Sequence, residues 1–184
     1  TMLAAVAACT AVAFAAPSVA RADVVTAWNL NATNALIGTA AQPPGVAAIH
    51  LAMVHGAVYD AVNAIDGGHE GYLLTSRVAT PFDSKDAAAA TAAYRVLLNI
   101  VPSQKPTLDS LYEASLAGIP DDTSKTRGVA VGEAAASAMI AARTADGRFG
   151  SFRFAVGSDP GVWRPVLPAF VNDPAAWVKD VKPF

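Results

Sequence analysis

The chain has almost no cysteine. The single one, Cys9, lies in an apolar N-terminal stretch, so the rest of the sequence can form neither a disulfide nor a thiolate metal site. Basic runs are missing as well. Lys85, Arg95, Lys105, Lys125, Arg127, Arg143, Arg148, Arg153, Arg164, Lys179 and Lys182 are scattered, and the formal charge of −2 leaves no electrostatic footprint for nucleic acid. Nucleophile and phosphate-loop motifs are also absent: there is no Gly-x-Ser-x-Gly elbow, no phosphate-binding glycine loop and no dinucleotide fingerprint, which argues against the enzyme classes built on them. No segment alternates as a strand does, and no repeat recurs at a fixed period.

What is present is apolar and alanine-rich. With 53% hydrophobic and 15% charged residues among 184, the chain suits one packed domain stabilised by burial. Residues 1–22 read as a signal peptide: an uncharged run from Leu3 to Ala16, then Pro17, then Ala20-Arg21-Ala22 before Asp23. Val6-Ala7-Ala8-Cys9 also resembles a lipoprotein cleavage box, and the stretch from Met2 to Ala20 is long enough to span a bilayer, so lipoprotein and anchor readings stay open beside the cleaved signal. All three imply export, to the periplasm or outside the cell. After cleavage no membrane association is expected.

From residue 23 onward the periodicity predicts an all-α fold. A first helix over 24–37 is capped by Asp23, with Val24, Trp28, Ala32, Ala35 and Ile37 near one stripe. A core helix over 46–65 ends at Asp66-Gly67-Gly68, and another over 85–101 starts at Ser84 with Asp86 in its first turn. A short helix is predicted over 107–116, and a long one from Asp121-Asp122-Thr123 to about residue 145. The remainder, 148–184, carries Pro160, Pro165, Pro168, Pro174 and Pro183 among aromatics and reads as an irregular segment laid over a helical surface.

Candidate chemistry centres on the second helix. His50 and His55 are five residues apart, about 140° around a helix, which is wrong for a shared metal. His55, Tyr59 and Asn63 share a face with Asp60 beside them, a polar stripe suited to hydrogen-bonding a neighbouring loop or lining a pocket. A hydrolase using His50, His55 and Asp60 is the remaining enzymatic reading. His69, next to Glu70 in a glycine-rich loop, is expected to face solvent.

The order of several strings resembles the N-terminal part of bacterial vanadium-dependent haloperoxidase-like proteins of the type-2 phosphatidic-acid phosphatase superfamily. These strings are Val25-Thr26-Ala27-Trp28-Asn29, the run from Leu51 to Ile65 (LAMVHGAVYDAVNAI), Ala93-Tyr94-Arg95-Val96-Leu97, Val131-Gly132-Glu133-Ala134-Ala135, Ala141-Ala142-Arg143-Thr144-Ala145-Asp146-Gly147 and Pro160-Gly161-Val162-Trp163-Arg164-Pro165. The resemblance implies a helical protein whose basic residues and histidines hold vanadate, or phosphate in the phosphatase relatives, by charge-assisted hydrogen bonds. In the haloperoxidases the bound vanadate activates peroxide to oxidise a halide.

None of the three blocks that carry that pocket has a match. Arg164-Pro165 would need a lysine where Gly157 stands. Pro17-Ser18 and Pro102-Ser103 do not continue as Gly-His, and Ser76-Arg77 is followed after five residues by Asp83 where the third block needs a histidine. No catalytic, cofactor-binding or metal-binding residue is therefore assigned, and no cofactor is expected in this chain, vanadate belonging to the full-length relative. The expectation is one helical bundle half, residues 23–184, inactive alone, whose partner is the missing C-terminal half of the same protein. Such a half should expose a large apolar face. Haloperoxidase and phosphatase chemistry, and a homo-oligomer, stay open. The competing expectation is a self-sufficient exported scaffold or binding module.

Overall fold

The computed structural model describes residues 23–74, 79–173 and 175–184; the segment expected to be a signal peptide, 1–22, and the Ser76-Arg77 pair lie outside them. Five α-helices follow in order: α1 Val24–Thr33, α2 Pro44–Asp66, α3 Lys85–Ile100, α4 Lys105–Ala117 and α5 Thr123–Ala142. Among the described residues there is no strand, so the protein is all-α.

Local chemistry sets most helix ends as the sequence predicts. Asp23 accepts the Val25 amide at 2.8 Å, Ser84 accepts the Ala87 amide at 3.2 Å, and Asp122 accepts those of Ser124 and Lys125 at 2.9 and 3.1 Å, so each start offers an oxygen to amides that lack an intrahelical partner. Gly67 closes α2 at φ 70°, a conformation that side chains with a Cβ resist.

Two expectations need correction. The first helix does not run straight to residue 37: a single wide turn, Asn34–Thr39, follows α1, closed by the Ala40 amide on the Ala35 carbonyl at 3.0 Å. Leu36 is thereby kept on the buried stripe with Trp28 and Ala32, and Ile37 is turned out to 47% exposure. α5 stops at Ala142 rather than near 145, because Arg143 leaves helical geometry at φ −106° and turns its side chain into the interior.

α3 is the central helix and touches α1, α2, α4 and α5. Its residues Ala87 to Tyr94, with Val96 and Leu97, are buried nearly all round, and alanine allows this because it keeps neighbouring axes close without losing side-chain entropy. α5 approaches nearest, at Gly128 and Gly132. A Cβ added at Gly132 would lie 2.4 Å from the Ala88 carbonyl oxygen, and one at Gly128 would lie 2.3 Å from that of Ser84. The two backbones are thus nearly in contact, and small residues fix their register. Larger side chains, Trp28, Leu36, Met53, Ile65, Leu97, Leu108 and Met139, fill the surrounding space. α2 is long and apolar enough to cross a membrane, but half of its most apolar window is buried within the bundle, as in a core helix.

After α5, the helical structure among the described residues is the short 3₁₀ turn Ala176–Asp180. The exposed apolar surface lies mostly off the helices. Apart from Leu30, Ile37 and Tyr59, the exposed large apolar side chains lie in loops or beyond residue 148, including Val166, Leu167, Phe170 and Val171.

Candidate functional site

The polar stripe of α2 is committed to neighbouring segments. Asp60, 1% exposed, accepts the amides of Tyr72 at 2.6 Å, Leu73 at 2.8 Å and Leu74 at 3.2 Å. Asn63 binds both backbone groups of His69, donating to its carbonyl at 2.6 Å and accepting from its amide at 2.9 Å. Tyr59 donates to the Glu70 carbonyl at 2.7 Å, and His55 Nε2 meets Asn29 Oδ1 of α1 at 2.9 Å. A loop that would otherwise bury unpaired amides is held by one carboxylate and one amide side chain. His69 itself is exposed. A hydrolytic triad is not assembled, because His50, His55 and Asp60 bind separate partners.

The other end of α2 differs. His50, 5% exposed, places Nδ1 2.8 Å from Gln42 Oε1. An amide oxygen only accepts, so Nδ1 carries the proton and Nε2 is left as a lone-pair acceptor. Burial, then the charge of Arg148, pushes the His50 pKa down to about 4, with Asp146 opposing, so the imidazole is neutral at pH 7. His50 borders a cavity of about 530 Å³, shared with Gln42, Asn99 and Arg148. Its apolar wall is formed by Val46, Ile100, Phe149 and Trp177. Pro43 caps α2 without a side-chain hydrogen bond, and the first turn of the helix borders the same space.

Behind this cavity lies a buried ion cluster. The Arg143 and Asp146 side chains are each 2% exposed, with Nε and Oδ2 2.8 Å apart. The two form a close ion contact rather than an aligned hydrogen bond, and Arg143 Nη2 has no acceptor among the described residues. Arg148 Nε lies 2.9 Å from Asp146 Oδ1, and its Nη2 donates to the Arg143 carbonyl at 2.7 Å. Burial pushes the Asp146 carboxyl up, but the side-chain and backbone hydrogen bonds from Arg148 and the two guanidinium charges outweigh it and hold the group below the usual carboxylate range. Arg143 also donates to the Lys182 carbonyl at 2.8 Å and stacks 3.8 Å from the Phe184 ring centre, while the Lys182 amide donates to the Asp146 carbonyl at 2.7 Å. Gly147 enables the turn: its φ of 89° suits glycine, and a Cβ there would lie 2.3 Å from the Asp180 carbonyl oxygen.

Sequence reasoning singles out His50 but not its surroundings. Arg143, Asp146 and Arg148 look like ordinary charges at a helix end, and Gln42, Asn99, Phe149 and Trp177 are distant in sequence. The available signal was the Arg-x-x-Asp-Gly-Arg run, in which a glycine turn folds two cations back on one carboxylate. Among the described residues no three histidine, cysteine or acidic side chains cluster as a metal site. Comparison with protein-family models, with curated proteins and with solved structures finds no match for this chain.

Proposed function

We propose that this chain is the N-terminal helical part of an exported vanadium-haloperoxidase-like protein, a bundle half with an irregular, proline- and aromatic-rich segment laid over it, whose oxyanion pocket is built by residues outside these 184. One observation carries the reading. The run from Leu51 to Ile65, which bears the most specific part of the resemblance, spends its polar residues on structure, with Asp60 and Asn63 organising a loop and His55 tying α2 to α1. That is how a supporting helix behaves, and it agrees with the lack of the three oxyanion-binding blocks in this stretch. On this reading the chain has neither peroxidase nor phosphatase activity alone, and its partner is the C-terminal half of the same protein. The apolar surface at Val166, Leu167, Phe170 and Val171 supports such docking.

The test is to read the encoding DNA beyond Phe184 and to assay the longest product for vanadate binding and for peroxide-dependent halide oxidation. An open frame containing the three blocks, with activity present in the long product and absent from the 184-residue chain, supports the reading. A stop codon after Phe184 overturns it.

A second reading is an exported scaffold or binding module that folds by itself. The closed packing of α3 among four helices and the buried ion cluster favour it. A single cooperative, probe-independent unfolding transition in a monodisperse sample is its expected signature.

A further inference from the structure

We propose that the cavity between the first turn of α2 and the Phe149–Trp177 pair binds a small carboxylic acid that carries a hydroxyl beside the carboxylate and an apolar, preferably aryl, body. The proposal stands apart from the haloperoxidase reading, because it uses only groups of this chain.

Three features of the cavity each select one part of the ligand. The first is charge. Arg143, Asp146 and Arg148 carry a net charge of +1, summed as two guanidinium groups and one carboxylate, and Arg148 borders the cavity. No acidic residue is among its lining groups. The α2 N-terminus lies on the same side with no side-chain cap, so the amides of its first turn, Gly45 and Val46, have no intrahelical acceptor and add positive potential. A carboxylate is the group these donors suit, and Arg148 keeps two of its five N–H groups beyond those spent on Asp146, the Arg143 carbonyl and Met53 Sδ.

The second feature is the buried imidazole. His50 is more than nine-tenths buried, its Nδ1 is used by Gln42, and Nε2 has no partner among the described residues. A neutral imidazole so arranged is an acceptor, and it asks for a donor such as a hydroxyl rather than for a second anion oxygen. The third feature is the wall. Phe149 and Trp177 have ring centres 5.0 Å apart at 50°, and Phe149 lies 6.2 Å from His50. Phe149 is held at φ 61°, a conformation that a bulky residue adopts only under constraint, and it leaves the ring 63% exposed at the cavity edge. Val46 and Ile100 complete an apolar surface for a ligand body.

The test uses mandelate as probe, with phenylacetate lacking the hydroxyl and benzyl alcohol lacking the carboxylate, titrated calorimetrically into the 184-residue chain at pH 7. Mandelate is expected to bind saturably and at least about tenfold more tightly than either comparison compound, the scale of one well-placed buried hydrogen bond or charge contact. His50→Leu should bring mandelate down to the phenylacetate level, and His50→Gln, which keeps an acceptor, should recover most of the loss. In the unsubstituted protein, imidazole nitrogen NMR should show Nε2 of His50 moving on mandelate addition and staying put with phenylacetate, so the test survives if the leucine variant fails to fold. Equal binding of mandelate and phenylacetate, no saturation by mandelate, or an unmoved Nε2 signal overturns the proposal.

Discussion

The helical region, residues 24–142, and the segment after it, 143–184, are held by opposite means. Between α3 and α5 the interface is alanine and glycine, and the backbones come so close that a single added methyl group meets a carbonyl oxygen. The later segment is anchored instead by an arginine and an aspartate removed from water, Arg143 and Asp146, with the partly exposed Arg148 on the same carboxylate and aromatic rings around them. The first kind of contact tolerates no added volume. The second tolerates no lost charge, because a buried ion deprived of its partner keeps its desolvation penalty. The two regions should therefore fail to different substitutions.

The largest effect is expected from Asp146→Ala. It strands the buried Arg143 guanidinium and takes the carboxylate from the partly exposed Arg148, and stability should fall by about 3–5 kcal/mol in urea denaturation followed by far-UV circular dichroism. Cleavage by a dilute protease should appear first within residues 143–184. A loss below about 1 kcal/mol would mean that the ion cluster does not anchor the segment. Next comes the acid response of His50, at the border between the two regions. Its folded pKa near 4 lies below the ordinary value of 6.5, so from pH 6.5 downward the unfolded chain takes up a proton that the folded chain refuses. The His50 contribution should fall through that window by up to roughly 3 kcal/mol and be complete below pH 4. His50→Leu should flatten the profile between pH 7 and 4.5. The depressed carboxylates Asp66, Asp109, Asp122 and Asp146 act below this window, where stability is lost as each protonates under its ordinary pKa of 3.8. If the leucine variant keeps the full wild-type slope, His50 is not the group that titrates.

Gly132→Ala attacks the other region. Its methyl would lie 2.4 Å from the Ala88 carbonyl oxygen and 2.7 Å from Thr91 Cβ, so α3 and α5 must separate. The gain in helix propensity of about 1 kcal/mol is outweighed by overpacking, and a net loss of about 1–3 kcal/mol is expected by thermal and urea unfolding. Protease sensitivity of residues 143–184 should change no more than global stability does. A net stabilisation would show that the interface can relax, and the contrast between the regions would collapse.

The helical region was largely legible in the sequence, and the cavity was not. Helix starts were readable because Asp23, Ser84 and Asp122 act on amides two or three residues away, and the end of α2 because Gly67 takes a left-handed turn. Ile37 was misplaced because the wide turn after α1 breaks the 3.6-residue period on which the reading relied. The loop-holding role of the α2 stripe was readable as one of two options, since its residues are spaced by four. The ion cluster and the cavity depend on contacts over long separations, such as Arg148 with Met53 and Trp177 with Phe149, which no local pattern encodes.

The smallest expected effect separates the two regions most sharply. Phe184 covers the Arg143 guanidinium at 3.8 Å from its ring centre and is 48% exposed, so Phe184→Ala removes a partly solvated cation–π contact of about 0.5–1 kcal/mol and little apolar burial. Asp146 keeps both guanidinium partners, and the bundle keeps all its helix contacts. Global unfolding should shift by less than about 1 kcal/mol. Local opening should change more. The Lys182 amide, bonded to the Asp146 carbonyl at 2.7 Å, should exchange with solvent several-fold faster, while the amides of α3 keep the protection set by global stability. If the α3 amides lose as much protection as Lys182, the segment and the bundle open as one unit, and the distinction between a core closed by volume and a strap closed by charge is wrong.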